Sequence, residues 1–78
     1  MRSDSAPDWI VDRLRTLGQR IRAARQAQNL SQEDLGRATG LGRSRVDQVE
    51  RGADDTSLDD LLLIAHVLDV LPADLVAD

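Results

Sequence analysis

Arg43, Ser44, Arg45, Asp47, Gln48 and Arg51 fall between two glycines, Gly42 and Gly52. An arginine fork can bridge guanine O6 and N7, a glutamine amide can pair with adenine N6 and N7, and a carboxylate can accept from cytosine N4. These are side chains suited to reading the edges of base pairs. The rest of the chain offers no comparable chemistry. There is no cysteine, so disulfides and thiolate metal sites are excluded. His66 is the only histidine, has no second ligand nearby in sequence, and reads as a surface or boundary residue. The stretch DDTSLDD, residues 54–60, lacks the glycine and the spacing of a calcium loop and reads as a loop followed by helix-capping acids. No nucleophile stands beside a base. The expectation is a protein that is not an enzyme and takes neither metal nor cofactor.

The element that must carry those side chains is a helix. On a wheel of about 100° per residue, Val46, Val49 and Glu50 point one way. Ser44, Gln48 and Arg51 point the other, Arg43 and Asp47 lie beside them, and Arg45 sits on the opposite flank. Gly42 precedes this helix and Gly52 stops it. Upstream, Ser31 is an N-cap with Asp34 three residues on, an approximate capping box. It opens a helix over about 32–39, with Leu35 and Ala38 inward, and Gly40 suits the left-handed position that ends it. Residues 31–52 thus read as helix, glycine turn, helix, with Leu41 plugging the turn.

Three more helices surround this unit. Asp8 can cap the first, just after Pro7. Its stripe is Ile10, Leu14, Leu17, Ile21, Ala24 and Gln28, with Gly18 off the stripe. That implies one long helix over about 9–28 or a break near Gly18. Ser57 caps a fourth helix, with Asp59 and Asp60 in the first turn, where acids favour the dipole. Pro72 opens a short fifth helix through Leu75 and Val76. No segment alternates like a strand. The fold class expected is all-α: one domain over residues 1–78, five helices, and an N-terminal helical extension over 1–16.

The formal net charge is -4 and the pI near 4.7, a balance that on average repels a polyanion. The charge is segregated, however. Residues 13–51 hold nine arginines against Glu33, Asp34, Asp47 and Glu50, whereas residues 52–78 hold seven aspartates and no Lys or Arg. Screening over ~8–10 Å means that a phosphate mostly feels the face it touches. There is no Lys, Phe or Tyr, and Trp9 is the only aromatic. Single-strand binders stack bases on aromatic platforms, and this chain has none.

From Leu17 to Val76 the chain resembles the Cro/repressor (XRE) helix-turn-helix family. The segments LGQRIRAARQAQNLSQEDL, GLGRSRVDQVERG and SLDDLLLIAHVLDVLPADLV carry the likeness. The resemblance implies a phage-repressor-like fold and a sequence-specific double-stranded DNA-binding transcriptional regulator, a repressor, with helix 43–51 in the major groove. Arg43, Ser44, Arg45 and Gln48 would be the base readers, Arg45 with the option of reaching a phosphate instead. Gln32 would touch phosphate and brace the recognition helix. Arg22, Arg37 and Arg51 would be backbone contacts or ordinary solubilising charges. Arg25 and Glu50 would form a structural ion pair. Asp47 is expected to pair with Arg43, with cytosine as the other possibility. The chain departs from the family at Gly36, usually Ala, and at Gly42, usually a Ser or Thr cap.

Family members usually dimerise on an inverted repeat. Candidate seam residues are Leu63, Val67, Leu71, Leu75 and Val76, or else the extension around Trp9, which could instead cover its own domain. The other readings are an antitoxin-type regulator, whose acidic C-terminal third would meet a basic protein, and a helical interaction module without DNA binding. No apolar run approaches the ~20 residues that span a bilayer, and no signal-peptide segment opens the chain. A cytoplasmic location without membrane contact is therefore expected.

Overall fold

The computed structural model describes residues 7–77, so residues 1–6 of the expected extension and Asp78 lie outside the described residues. Five helices follow in order: α1 (Asp8–Ala27), α2 (Gln32–Thr39), α3 (Arg43–Glu50), α4 (Leu58–Leu68) and α5 (Pro72–Val76). The all-α class expected from the patterning is the one observed.

α1 runs unbroken through Gly18. Gly18 is buried where α1 meets the end of α3, and a Cβ there would lie 2.7 Å from the Val49 carbonyl oxygen and closer still to that of Glu50. The missing side chain lets two backbones touch. That contact offsets the ~1 kcal/mol a glycine costs a helix interior. Asp8 does not cap α1: Pro7 is the N-cap residue and Asp8 is the first helical residue. Its carboxylate acts through the dipole of the first turn instead.

α2 opens with a full capping box. Ser31 Oγ accepts from the Asp34 N–H at 2.9 Å and Asp34 Oδ2 accepts from the Ser31 N–H at 3.0 Å. Ala38, expected inward, is exposed, and Thr39 takes the buried position instead. The inward face of this two-turn helix falls on Leu35 and the residue four further on. The Thr39 hydroxyl is satisfied there, donating to the Leu35 carbonyl at 2.8 Å and accepting from the Leu41 N–H at 3.3 Å. α4 carries a second capping box, between Ser57 and Asp60.

Ile21, Leu35, Val46, Val49, Ile64 and Leu68 form the fully buried centre, contributed by the first four helices. Leu75 closes the base of this core at 3% exposure, which removes it from the expected seam. α5 packs on α1 and α4 and turns Leu75 inward, while its last carbonyls accept from Arg20 Nη1, at 3.2 Å for Leu75. Val67 is half-buried against the same core. Leu63, Leu71, Val76 and Trp9 remain exposed.

Candidate nucleic-acid interface

α2 and α3 are set against each other by an approach closer than a methyl group allows. A Cβ on Gly36 would lie 2.6 Å from the Arg43 backbone nitrogen. Gly36 therefore tightens this junction and does not merely loosen its own helix. Gly42 has φ +89° and gives α3 no side-chain cap. A Ser or Thr cap at this backbone angle would be strained, which accounts for the departure from the family pattern.

Behind this junction, Arg25 ties three segments together. Its Nε donates to Glu50 Oε2 at 2.7 Å, Nη2 to Glu50 Oε1 at 3.1 Å, and Nη1 to the Leu30 carbonyl at 2.8 Å. The hydrogen bond to Glu50 holds the guanidinium above its ordinary range, against the opposing effect of burial. Gln32 extends the network forward, its Nε2 donating to Glu50 Oε1 at 3.0 Å and to Asp47 Oδ1 at 3.1 Å. The bracing role expected of Gln32 is built into the chain.

Asp47 does not pair with Arg43. Its carboxylate takes the Gln32 bond and meets Arg51 Nε at 2.9 Å, while Arg43 leans on Gln32 Oε1 at 3.4 Å. An acid four residues before a base is the favoured order on a helix, so Arg51 wins over Arg43. The Gln32 bond, ahead of Arg51, keeps the Asp47 carboxyl below its ordinary range.

Arg43, Ser44 and Gln48 stand exposed on the outer side of α3. Arg22, Gln32, Arg43 and Arg51 line one open cleft beside them, over the entry of α2. Arg37 lies apart on α2, with Asp34 at 2.8 Å and Glu33 at 3.7 Å. Arg45 departs from the expected set of readers. It turns toward the loop after α3 and binds Asp60 at 2.9 Å and Asp55 at 3.0 Å, with Nη1 also reaching Gln48. The wheel placed it on its own flank, but no periodicity shows that the 51–57 loop brings two carboxylates to that flank. Among the described residues no group of His, Cys, Asp and Glu is arranged to hold a metal ion, and no helix is long and apolar enough to cross a membrane.

The Arg45 bond, with smaller help from the Ser57 backbone, keeps the Asp60 carboxyl below its ordinary 3.8. A depressed carboxyl contributes stability that is present above its unfolded value and lost as pH falls through its folded value. The melting temperature is therefore expected to drop as pH falls from about 5 toward 2, and Asp60→Asn should flatten that slope. A wild-type slope unchanged in Asp60→Asn would discount this bridge. Thermal melts followed by circular dichroism check it.

The helix-turn-helix family model matches residues 21–75. An uncharacterised HTH-type transcriptional regulator y4dL of Sinorhizobium fredii is 42% identical over 52 residues, 67% of this chain and 26% of that protein. The chain thus spans about a quarter of that relative's length. Control protein C.BamHI of Bacillus amyloliquefaciens is 39% identical over 59 residues, 74% of this chain and 73% of that one. The crystal structure of the restriction-modification controller protein C.AhdI from Aeromonas hydrophila superposes with a TM-score of 0.75 at 47% identity, covering 80% of this chain and 94% of that one. With the motif, the paired Arg25 and Glu50 and the exposed outer side of α3 in place, the chain belongs to the helix-turn-helix family of the Cro/repressor type.

Proposed function

We propose that the chain is a sequence-specific double-stranded DNA-binding transcriptional regulator, a repressor, that lays α3 in the major groove. The observation that carries this reading is the contrast across α3. Arg43, Ser44 and Gln48 are exposed on one side, while Glu50 on the other is locked by Arg25 and Gln32. A rigid helix with exposed polar side chains is what direct readout requires. Gln32, Arg22 and Arg51 line the cleft beside α3, and in this reading they meet the phosphates on either side. Arg37 is a weaker candidate, because Glu33 and Asp34 neutralise it locally.

Two of the similar proteins are named as control or controller proteins, one of them of a restriction-modification system. We extend the reading to a controller of that kind. It would act as a homodimer on an inverted repeat, with half-sites about one helical turn apart. Leu62, Leu63 and Leu71 supply an exposed apolar face for the seam, in keeping with the patches that mark interfaces.

Selection from a random duplex pool, followed by titration of the winner across a salt series, tests both parts. An enriched inverted repeat whose affinity falls steeply with salt is expected. Arg43→Ala and Gln48→Ala should each weaken binding to the selected site by about tenfold or more while leaving the melting temperature unchanged. Unaltered binding in both variants would end this reading.

A second reading rests on the acidic end. Asp54, Asp55, Asp59, Asp69 and Asp74 are exposed, and no base other than His66 follows Arg51. Equal, weak binding to selected and scrambled duplexes, together with a basic protein that co-purifies, would favour an antitoxin-like or purely protein-binding role.

A further inference from the structure

Arg45 has five N–H donors, and all five are committed inside the chain. Nε and Nη2 donate to Asp60 Oδ2 at 3.2 and 2.9 Å, and Nη2 also donates to the Asp55 carbonyl at 2.8 Å. Nη1 donates to Asp55 Oδ1 and to Gln48 Oε1, each at 3.0 Å. The guanidinium side chain is only 21% exposed and its Asp60 partner 14%. Nothing is left over for a base or a phosphate.

The bond to Gln48 has a directional consequence. An amide beside a guanidinium must turn its oxygen toward it, because an NH2 group there would set donor against donor. The Gln48 oxygen is therefore held against Arg45. Its two amide hydrogens are left for the exposed side of α3. The two-point contact with adenine needs the oxygen facing the base, to accept from N6. Two donors instead match guanine, which presents acceptors at both N7 and O6.

We propose that Arg45 is a positioning residue that fixes the polarity of Gln48, so that Gln48 reads guanine in preference to adenine. The inference rests on the DNA-binding reading above. It makes Asp55, in the loop after the recognition helix, and Asp60, at the start of α4, indirect determinants of the sequence recognised.

The test uses four duplexes that differ only at the base pair where Gln48→Ala abolishes discrimination. The wild-type chain should prefer guanine over adenine there by about tenfold. Arg45→Met keeps the apolar stem and removes every donor. It should erase that preference, leave discrimination at the other positions intact, and leave the salt dependence of binding unchanged.

Gln48→Glu guards against a loss of folding in Arg45→Met. A carboxylate still accepts from Arg45 but offers no donor outward, so guanine should lose its advantage and cytosine, through its N4 amino group, should gain. Three results would overturn the proposal while leaving DNA binding standing. One is a guanine preference retained in Gln48→Glu. Another is a uniform loss of affinity in Arg45→Met with a shallower salt slope, the mark of a phosphate contact. The third is loss of discrimination at a different base pair, which would make Arg45 itself a reader. A wild-type chain that selects no duplex would overturn both this inference and the reading beneath it.

Discussion

Glu50→Ala is expected to lower the unfolding free energy by about 3–5 kcal/mol, because it strands the buried Arg25 guanidinium without its counter-charge. The Glu50 side chain is 4% exposed and that of Arg25 10%, so water cannot easily replace the lost partner. Gln32 loses an acceptor in the same step. Domains carry roughly 0.05–0.15 kcal/mol of stability per residue, so the loss is comparable with the stability of so small a chain. Urea titration followed by far-ultraviolet circular dichroism should show a mostly unfolded variant near physiological temperature. Replacing both partners with apolar residues, as in Arg25→Met with Glu50→Leu, should recover much of the loss, because it removes the stranded charge. A single-variant loss below ~1 kcal/mol, the scale of an exposed pair, would show that this pair does not hold α1 to α3.

Gly18→Ala is expected to destabilise the fold by about 3 kcal/mol, the upper end of ordinary overpacking. Helix propensity alone points the other way, toward a gain of ~1 kcal/mol, so the sign of the effect decides between two accounts of the residue. The atoms in the way are the Val49 and Glu50 carbonyl oxygens. Backbone cannot rotate aside as a side chain can, so α1 must lift from the end of α3 and loosen the Arg25–Glu50 bonds as it moves. Gln19→Ala, at the exposed neighbouring position, is the control and should be neutral or slightly stabilising. Equal melting temperatures for Gly18→Ala and Gln19→Ala would show that the two helices can separate at no cost.

Gly18 also illustrates what a sequence leaves hidden. The stripe of Leu17 and Ile21, the inward Val46 and Val49, and the cap at Ser31 were all legible, because repeating apolar side chains and capping hydroxyls are local signals. The Arg25–Glu50 pair was reached through the family likeness, since its partners lie on different helices. A missing side chain leaves no periodic trace, so the crossing at Gly18 could not be seen. Leu75 was misplaced for a related reason: a five-residue helix is too short to display a face. Arg45 was misread because its acidic partners, Asp55 and Asp60, sit in and just beyond a loop whose path no periodicity gives. Asp47 had an arginine one turn to either side; helix order favours Arg51, and the bond from Gln32 and the lean of Arg43 toward that glutamine complete the choice.

The alternation along α3 bears on how such a chain can diverge. Arg43, Ser44 and Gln48 touch no part of the core, whereas Arg45, Asp47 and Glu50 are each held by another element. Under the reading proposed above, drift at the first set retunes the sequence recognised and leaves the architecture alone. Drift at the second set disturbs the scaffold, and at Arg45 the orientation of Gln48 with it. Under that reading, one copy of a duplicated gene can retune its recognition by single steps at three exposed positions without disturbing the scaffold between them.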